Sequence, residues 1–213
     1  MSTRSRPLQT PAPGTRERLL AAAAAEFAAR GFAGGSVDRI ARTARVNKAM
    51  IYYHFTSKAA LYREILRDMF AAVDARVRAT HASTIPPGEK IRAFVEAIAL
   101  EAEAHPHFPK IWFREIAEDG THLDEATMAH IGNVVKALGA IIREGVAAKR
   151  FTPINPLIVH AGIIGPLLLY FASTKMRKRL ERGGVKGAGQ VSRDDVVAHV
   201  RHAAISMLEG RMS

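Results

Sequence analysis

SVDRIARTARVNKAMIYYHFTSK, residues 36–58, reads as two short helices joined by a tight turn. Ser36 is a residue type that caps helix starts, offering a side-chain oxygen to one of the free N–H groups there. Val37, Ile40 and Ala41 fall on one face of a helix running to about Thr43. A turn follows at Ala44–Val46, and the second helix runs on through Tyr53. Ala41 is small where the helices must cross, and Val46 and Ile51 pin the second helix. Phe55 and Leu61 tie the pair to the helix behind it. A helix-turn-helix of this kind lays its second helix in the major groove of duplex DNA.

The free face of that second helix carries Asn47, Lys48, Ala49, Tyr52, Tyr53 and His54. Lys48 can donate to guanine O6 and N7, and the Ala49 methyl and Tyr52 ring can meet a thymine methyl. Tyr53, His54 and Lys58 are placed to hold phosphates, as are the Ser36 hydroxyl and the free N–H groups of its helix start. A helix cannot turn two adjacent aromatics into one core, so at least one of Tyr52 and Tyr53 faces out.

The charge distribution agrees. Residues 1–60 hold ten Lys/Arg against three Asp/Glu, which is +7 of the chain's formal +11; the remainder holds 21 against 17. Such an excess in the first quarter suits a polyanionic partner. Hydrophobic residues at 48% and charged residues at 24% describe a chain with a sizeable core. The absence of cysteine excludes disulfides, thiolate zinc sites and cysteine nucleophiles, and fits a reducing cytoplasm. Residues 1–11, polar and Pro-containing with no apolar stretch, read as a disordered basic arm rather than a secretory signal.

Outward from the motif, helical periodicity continues and strand alternation is absent, so the fold class is all-α. The first helix is expected from Thr15 as N-cap, with Arg18 in the usual Glu position of a capping box. Its apolar stripe is Leu20, Ala23, Ala24 and Phe27, and Gly31 stops it. Ser57 caps a long helix striped by Leu61, Ile65, Leu66, Met69 and Val73, which ends before Ile85-Pro86-Pro87-Gly88. Further helices are expected near 88–104, 108–118, 122–148, 156–180 and 193–209, between Pro and Gly breakers.

The motif resembles the TetR family of bacterial transcriptional regulators. The resemblance rests on Ile40-Ala41, Ala44, Val46, Ile51-Tyr52-Tyr53-His54-Phe55 and Ser57-Lys58-Ala59-Ala60-Leu61, and is specific over about residues 12–72. One departure is Arg45, which stands where the family often has Gly; it either alters the turn or adds a phosphate contact. The resemblance implies about nine helices. A three-helix DNA-binding domain over 12–72 is joined by a long helix to a ligand-binding and dimerisation domain over 73–211. It also implies a homodimer formed through the last two long helices, double-stranded operator DNA as partner, and a small-molecule effector that releases a repressor.

Residues 105–116, HPHFPKIWFREI, gather aromatics at a helix start. As pocket lining, Phe108, Trp112, Phe113 and Ile116 offer apolar surface and His105 or His107 a polar handle, with Met69, Phe94 and Ile98 from neighbouring helices. Singly, each reads better as core; the cluster as a whole reads equally well as pocket lining or as core. No metal site is expected, since no HExxH occurs and no histidine pair at helical spacing has a carboxylate partner. No cofactor and no catalytic residue is expected either, because nucleophile-elbow, P-loop and dinucleotide motifs are missing. The apolar run 157–172, followed by Lys175, Arg177, Lys178 and Arg179, imitates a membrane span. At 16 residues with His160, two glycines and Pro166, it falls short of the roughly 20 needed, and reads as an interface helix with no membrane partner. Two other readings compete with a regulator: a small helical enzyme or binding protein with an incidental basic N-terminus, and a peripheral membrane protein using residues 157–172.

Overall fold

The computed structural model describes residues 14–210; the arm expected over residues 1–11 lies outside them. The described residues form ten helices and no strand. They are α1 (Thr15–Gly34), α2 (Val37–Ala44), α3 (Ala49–Phe55), α4 (Lys58–Ala82), α5 (Pro87–Ala104), α6 (Phe108–Ala117), α7 (Glu125–Ala147), α8 (Pro156–Ala172), α9 (Thr174–Arg182) and α10 (Arg193–Leu208). The chain forms two compact units, one up to Tyr62 and one from Arg63 onward.

In the first unit α1 begins one residue earlier than its sequence implies. Gly14 is the N-cap, and Glu17 rather than Arg18 reaches back, its Oε2 accepting the Gly14 N–H at 2.8 Å. Arg18 instead donates from Nε to the Ala44 carbonyl at 3.3 Å. The buried face is Leu19, Ala22, Ala23, Phe27 and Ala28, so Leu20 and Ala24 lie at its margin rather than at its centre. Gly31 breaks the helix at φ 70°, ψ 176°, backbone that a side chain forbids, and one further turn follows to Gly34. Phe27, fully buried, meets Tyr62 edge-on with ring centres 4.8 Å apart.

In the second unit α5 is central. Ile91, Phe94, Val95 and Ile98 are buried, and the helix packs against α7, α8 and α10. α10 lies along α5 and α8 and adds Val197, Val200, Ala204 and Leu208 to the same core. The segment between α7 and α8 fastens its end: the Thr152 N–H donates to the Leu208 carbonyl at 2.7 Å and the Thr152 hydroxyl at 3.0 Å. Polar ties join α4 to α7. Asp74, 1% exposed, accepts from Asn133 Nδ2 at 3.2 Å and pairs with His130 Nδ1 at 2.8 Å. Burial alone would raise the Asp74 carboxyl, but His130, Asn133 and the charge of Arg78 outweigh it and hold it below its ordinary value.

The helix expected over 156–180 is two helices, bent by 65° between α8 and α9. Ser173 at the bend is buried and closes α8. The Arg177 guanidinium captures the Tyr170 carbonyl, donates to Ser173 Oγ at 3.0 Å and lies 4.0 Å over the Tyr170 ring. These contacts fold the basic turn back onto the end of the apolar helix, and α9 itself buries no residue. No single helix among the described residues is long and apolar enough to cross a membrane.

Candidate functional site

The first unit builds a rigid platform for α3. Ser36 caps α2, with Oγ accepting from the Arg39 N–H at 3.5 Å. The Glu26 carboxylate takes the Ser36 N–H at 3.1 Å and Arg39 Nε at 2.7 Å, while Arg39 Nη2 donates to the Gly34 carbonyl at 2.6 Å. The Arg39 bond is the main cause that holds the Glu26 carboxyl below its ordinary pKa, with burial opposing it. This lock between α1 and α2 was not legible in the motif.

The turn keeps its tight form without glycine. Arg45 takes φ 56°, ψ 48°, left-handed backbone that disfavours an L-residue by about 1–2 kcal/mol. The Val46 N–H closes the turn onto the Ala41 carbonyl at 3.0 Å, and Ala41 is buried where the helices cross. Ile51 and Phe55 are buried beneath α3, and Val46 is half-buried.

Above them, Arg45, Asn47, Lys48, Ala49, Tyr52 and Tyr53 are all exposed, Tyr53 by 78%. Ser36, His54 and Lys58 are half-buried. Asn47 is partly occupied, since its Oδ1 accepts the Ala49 N–H at 2.9 Å and so caps α3. Lys48 is paired with Asp38 on α2, Nζ to Oδ1 at 2.9 Å, and that hydrogen bond raises its pKa. Asp38, ten residues away in the chain, is a member of this face that sequence reading missed. Lys58 Nζ lies 4.6 Å over the Phe32 ring and 3.4 Å from the Ala33 carbonyl.

The second unit holds a cavity with about 410 Å³ of empty space, its mouth included. Its walls are Phe70 and Val73 of α4, Ile98 of α5, Phe108 and Trp112 of α6, Ile131 and Val134 of α7, and His160, Ile164 and Leu168 of α8. The Phe70 ring stands edge-on to both Phe108 and Trp112, at 5.2 and 4.9 Å between centres. Of the residues chosen from sequence, Ile98, Phe108 and Trp112 meet here. Met69 and Phe94 are buried in the core outside the lining, whereas Phe113 and Ile116 are exposed. The buried residues of α6 are Phe108, Pro109, Ile111 and Glu115; Phe113 lies about 100° round from Trp112, and Ile116, one turn beyond Trp112, is exposed at the end of the helix.

The polar group of the cavity is His160, not His105, which sits 3.5 Å from Glu101 away from the lining. The His160 ring makes no hydrogen bond to another described residue, and burial holds its pKa below the ordinary value. Elsewhere His122 Nδ1 lies 3.0 Å from Glu115, and with Glu118 these residues bring three donor atoms within 4.8 Å of one another. That grouping was not read from the sequence, because Glu115 and Glu118 reach His122 around a turn.

Comparison with known proteins gives matches in both units. Residues 19–65 match the bacterial regulatory proteins of the tetR family, and residues 87–207 match the tetracyclin repressor-like C-terminal domain. The chain is 31% identical over 159 residues to the HTH-type transcriptional repressor NicS of Pseudomonas putida, covering 74% of each chain. The fold is similar to that of the TetR family regulator PfmR from Thermus thermophilus, with a TM-score of 0.67, 22% identity and coverage of 92% of this chain and 97% of that one. A bacterial regulatory protein in the tetR family from Rhodococcus gives a TM-score of 0.72 at 18% identity, covering 92% and 98%.

Proposed function

Because the chain belongs to the tetR family of bacterial regulatory proteins, DNA-binding transcription factors and not enzymes, we propose that it is a homodimeric repressor released from a near-palindromic operator by a small molecule. The observation that carries the DNA reading is α3 itself. Its apolar side is pinned by Ile51 and Phe55, and its other side exposes Lys48, Ala49, Tyr52 and Tyr53. In this reading Lys48, Ala49 and Tyr52 meet base edges, and Ser36, Arg45, Tyr53, His54 and Lys58 hold phosphates. Asn47 fixes the start of α3.

Dimerisation is supported by the outer face of α8. Leu157, Ile158, Ala161, Gly162, Gly165, Pro166 and Leu169 are all exposed and recur at helical spacing. A contiguous apolar stripe of this kind marks an association surface, and its small residues let a second backbone approach. A two-fold dimer sets its half-site centres about 34–36 Å apart, or a multiple of that. Repression is supported by the naming of the relative NicS as a repressor. The effector site is the cavity among α4–α8, and the working compartment is the cytoplasm, where the DNA lies.

The test is capture of genomic fragments by the full chain, followed by footprinting of the retained sequence and light scattering of the free protein. A dimer that protects a two-fold symmetric site is expected. Failure to retain any fragment overturns the DNA reading. A monomer, or protection of one asymmetric half-site, overturns the dimer.

A further inference from the structure

We propose that the cavity among α4–α8 takes an uncharged, mostly hydrocarbon molecule no larger than a substituted ring, held by one hydroxyl or carbonyl group on His160. This rests on the reading of that cavity as the effector site and specifies what it selects.

The walls fix the hydrocarbon part. Phe70, Phe108, Trp112, Ile164 and Leu168 present carbon to the cavity, and the edge-on aromatic pairs leave flat surfaces against which a ring can lie. The size is bounded from above by the volume: the 410 Å³ includes the gaps between wall atoms and the mouth, so the space left for a guest is a fraction of it and limits the guest to a single small ring.

His160 fixes the polar part. Besides the Trp112 indole N–H, which can only donate, it is the one lining side chain with a polar group and the one that can accept a hydrogen bond, and its ring has no hydrogen-bond partner among the described residues. A neutral imidazole offers one donor and one acceptor, so it can receive a hydroxyl or serve a carbonyl. Charge is excluded by what the lining lacks. No carboxylate lines the cavity to meet a cation. An anion needs His160 protonated, which its burial opposes.

Trp112 is the single tryptophan of the chain and lines the cavity, so its emission reports occupancy without a label. Four ring-sized probes transparent at its excitation wavelength separate the possibilities: cyclohexanol, methylcyclohexane, cyclohexanecarboxylate and cyclohexylammonium. Cyclohexanol is expected to shift the emission saturably, with the other three about tenfold weaker or more. His160→Phe is expected to erase the preference for the alcohol while methylcyclohexane still binds, and His160→Gln, which keeps a donor and an acceptor, to restore part of it. A charged probe that binds as well as cyclohexanol overturns the proposal, as does an alcohol preference that survives in His160→Phe. Gel shifts on a captured DNA fragment in the same samples keep the two ideas apart. If the probe preferences hold but DNA retention does not change, the cavity inference stands and the release reading fails. If no probe binds while the protein keeps its circular dichroism and its DNA, the cavity inference fails alone.

Discussion

Replacing Asp124 by alanine is expected to destabilise the unit from Arg63 onward by about 2 kcal/mol at neutral pH, and by less in acid. Asp124 caps α7: Oδ1 accepts the Thr127 N–H at 2.9 Å and the Thr127 hydroxyl at 2.7 Å, while Oδ2 takes Arg67 Nη2 of α4 at 2.6 Å. Loss of the cap accounts for about 1 kcal/mol. Thr127 is fully buried, so its stranded donors add about 1 kcal/mol more. The Arg67 side chain is 41% exposed, and its ion pair adds less than about 1 kcal/mol. The titration of the carboxyl gives an independent figure. Its pKa falls from 3.8 to about 2, first through the Thr127 hydroxyl, with burial opposing and Arg67 assisting. At about 1.36 kcal/mol per unit this amounts to about 2 kcal/mol, or about 1–2 once partial exposure is discounted. A depressed carboxyl stabilises fully above its unfolded pKa of 3.8, and that contribution is lost as pH falls toward about 2. Urea unfolding followed by Trp112 emission, for the wild type, Asp124→Ala and Asp124→Asn, measures it. The gap between wild type and alanine is expected to be full at about pH 5 and to narrow by about pH 2.5 toward what an uncharged cap retains. Asparagine, which still caps, is expected to fall between them at neutral pH. A gap that stays constant over that range would refute the assignment of the stability to the ionised carboxylate.

On DNA, Lys58→Ala is expected to weaken every sequence about equally and lower the salt slope by about one unit, as for a lost phosphate contact. Lys48→Ala is expected to reduce operator affinity about ten- to a hundredfold and relax one base pair per half-site; equal loss on all sequences contradicts that role. Gly35→Ala places a Cβ 2.7 Å from two ring carbons of Phe27. Since φ there is an ordinary −69°, crowding alone is expected to destabilise the first unit by about 1–3 kcal/mol. Circular dichroism melts check it, and an unchanged midpoint refutes the packing argument.

The helix-turn-helix was legible because several local signals agree on it: a serine cap, an alanine at the crossing and apolar pins at Val46 and Ile51. The register of α1 was not, because Ala21–Ala25 offers five side chains of one size, and only the neighbouring helices decide which are covered. The break at Ser173 was hidden because helical periodicity continues across it; the bend comes from Arg177 reaching back to Tyr170. In the cavity, the aromatic cluster at 108–113 announced apolar lining but not which members face inward. His160 counted in the sequence only as an interruption of an apolar run. Its place depends on α8 facing α4, α6 and α7, which no local pattern records. The Lys48–Asp38 pair bridges two helices at a spacing that carries no signal.

The position of α10 has a consequence for synthesis. Val197, Val200, Ala204 and Leu208 complete a core whose other walls, α5 and α8, both precede them in the chain, α5 by a long way. As the chain emerges in order, the Phe27–Tyr62 core can close once α4 has begun, whereas α5 and α8 wait with bare apolar faces until residue 208 arrives and Thr152 grips it. During that interval the nascent protein is most prone to aggregation and has most need of chaperones. Ribosome-bound chains stalled before residue 197 are accordingly expected to be cut by protease within α5–α8 while the segment up to Tyr62 resists; equal protection of both would place closure of the second core earlier.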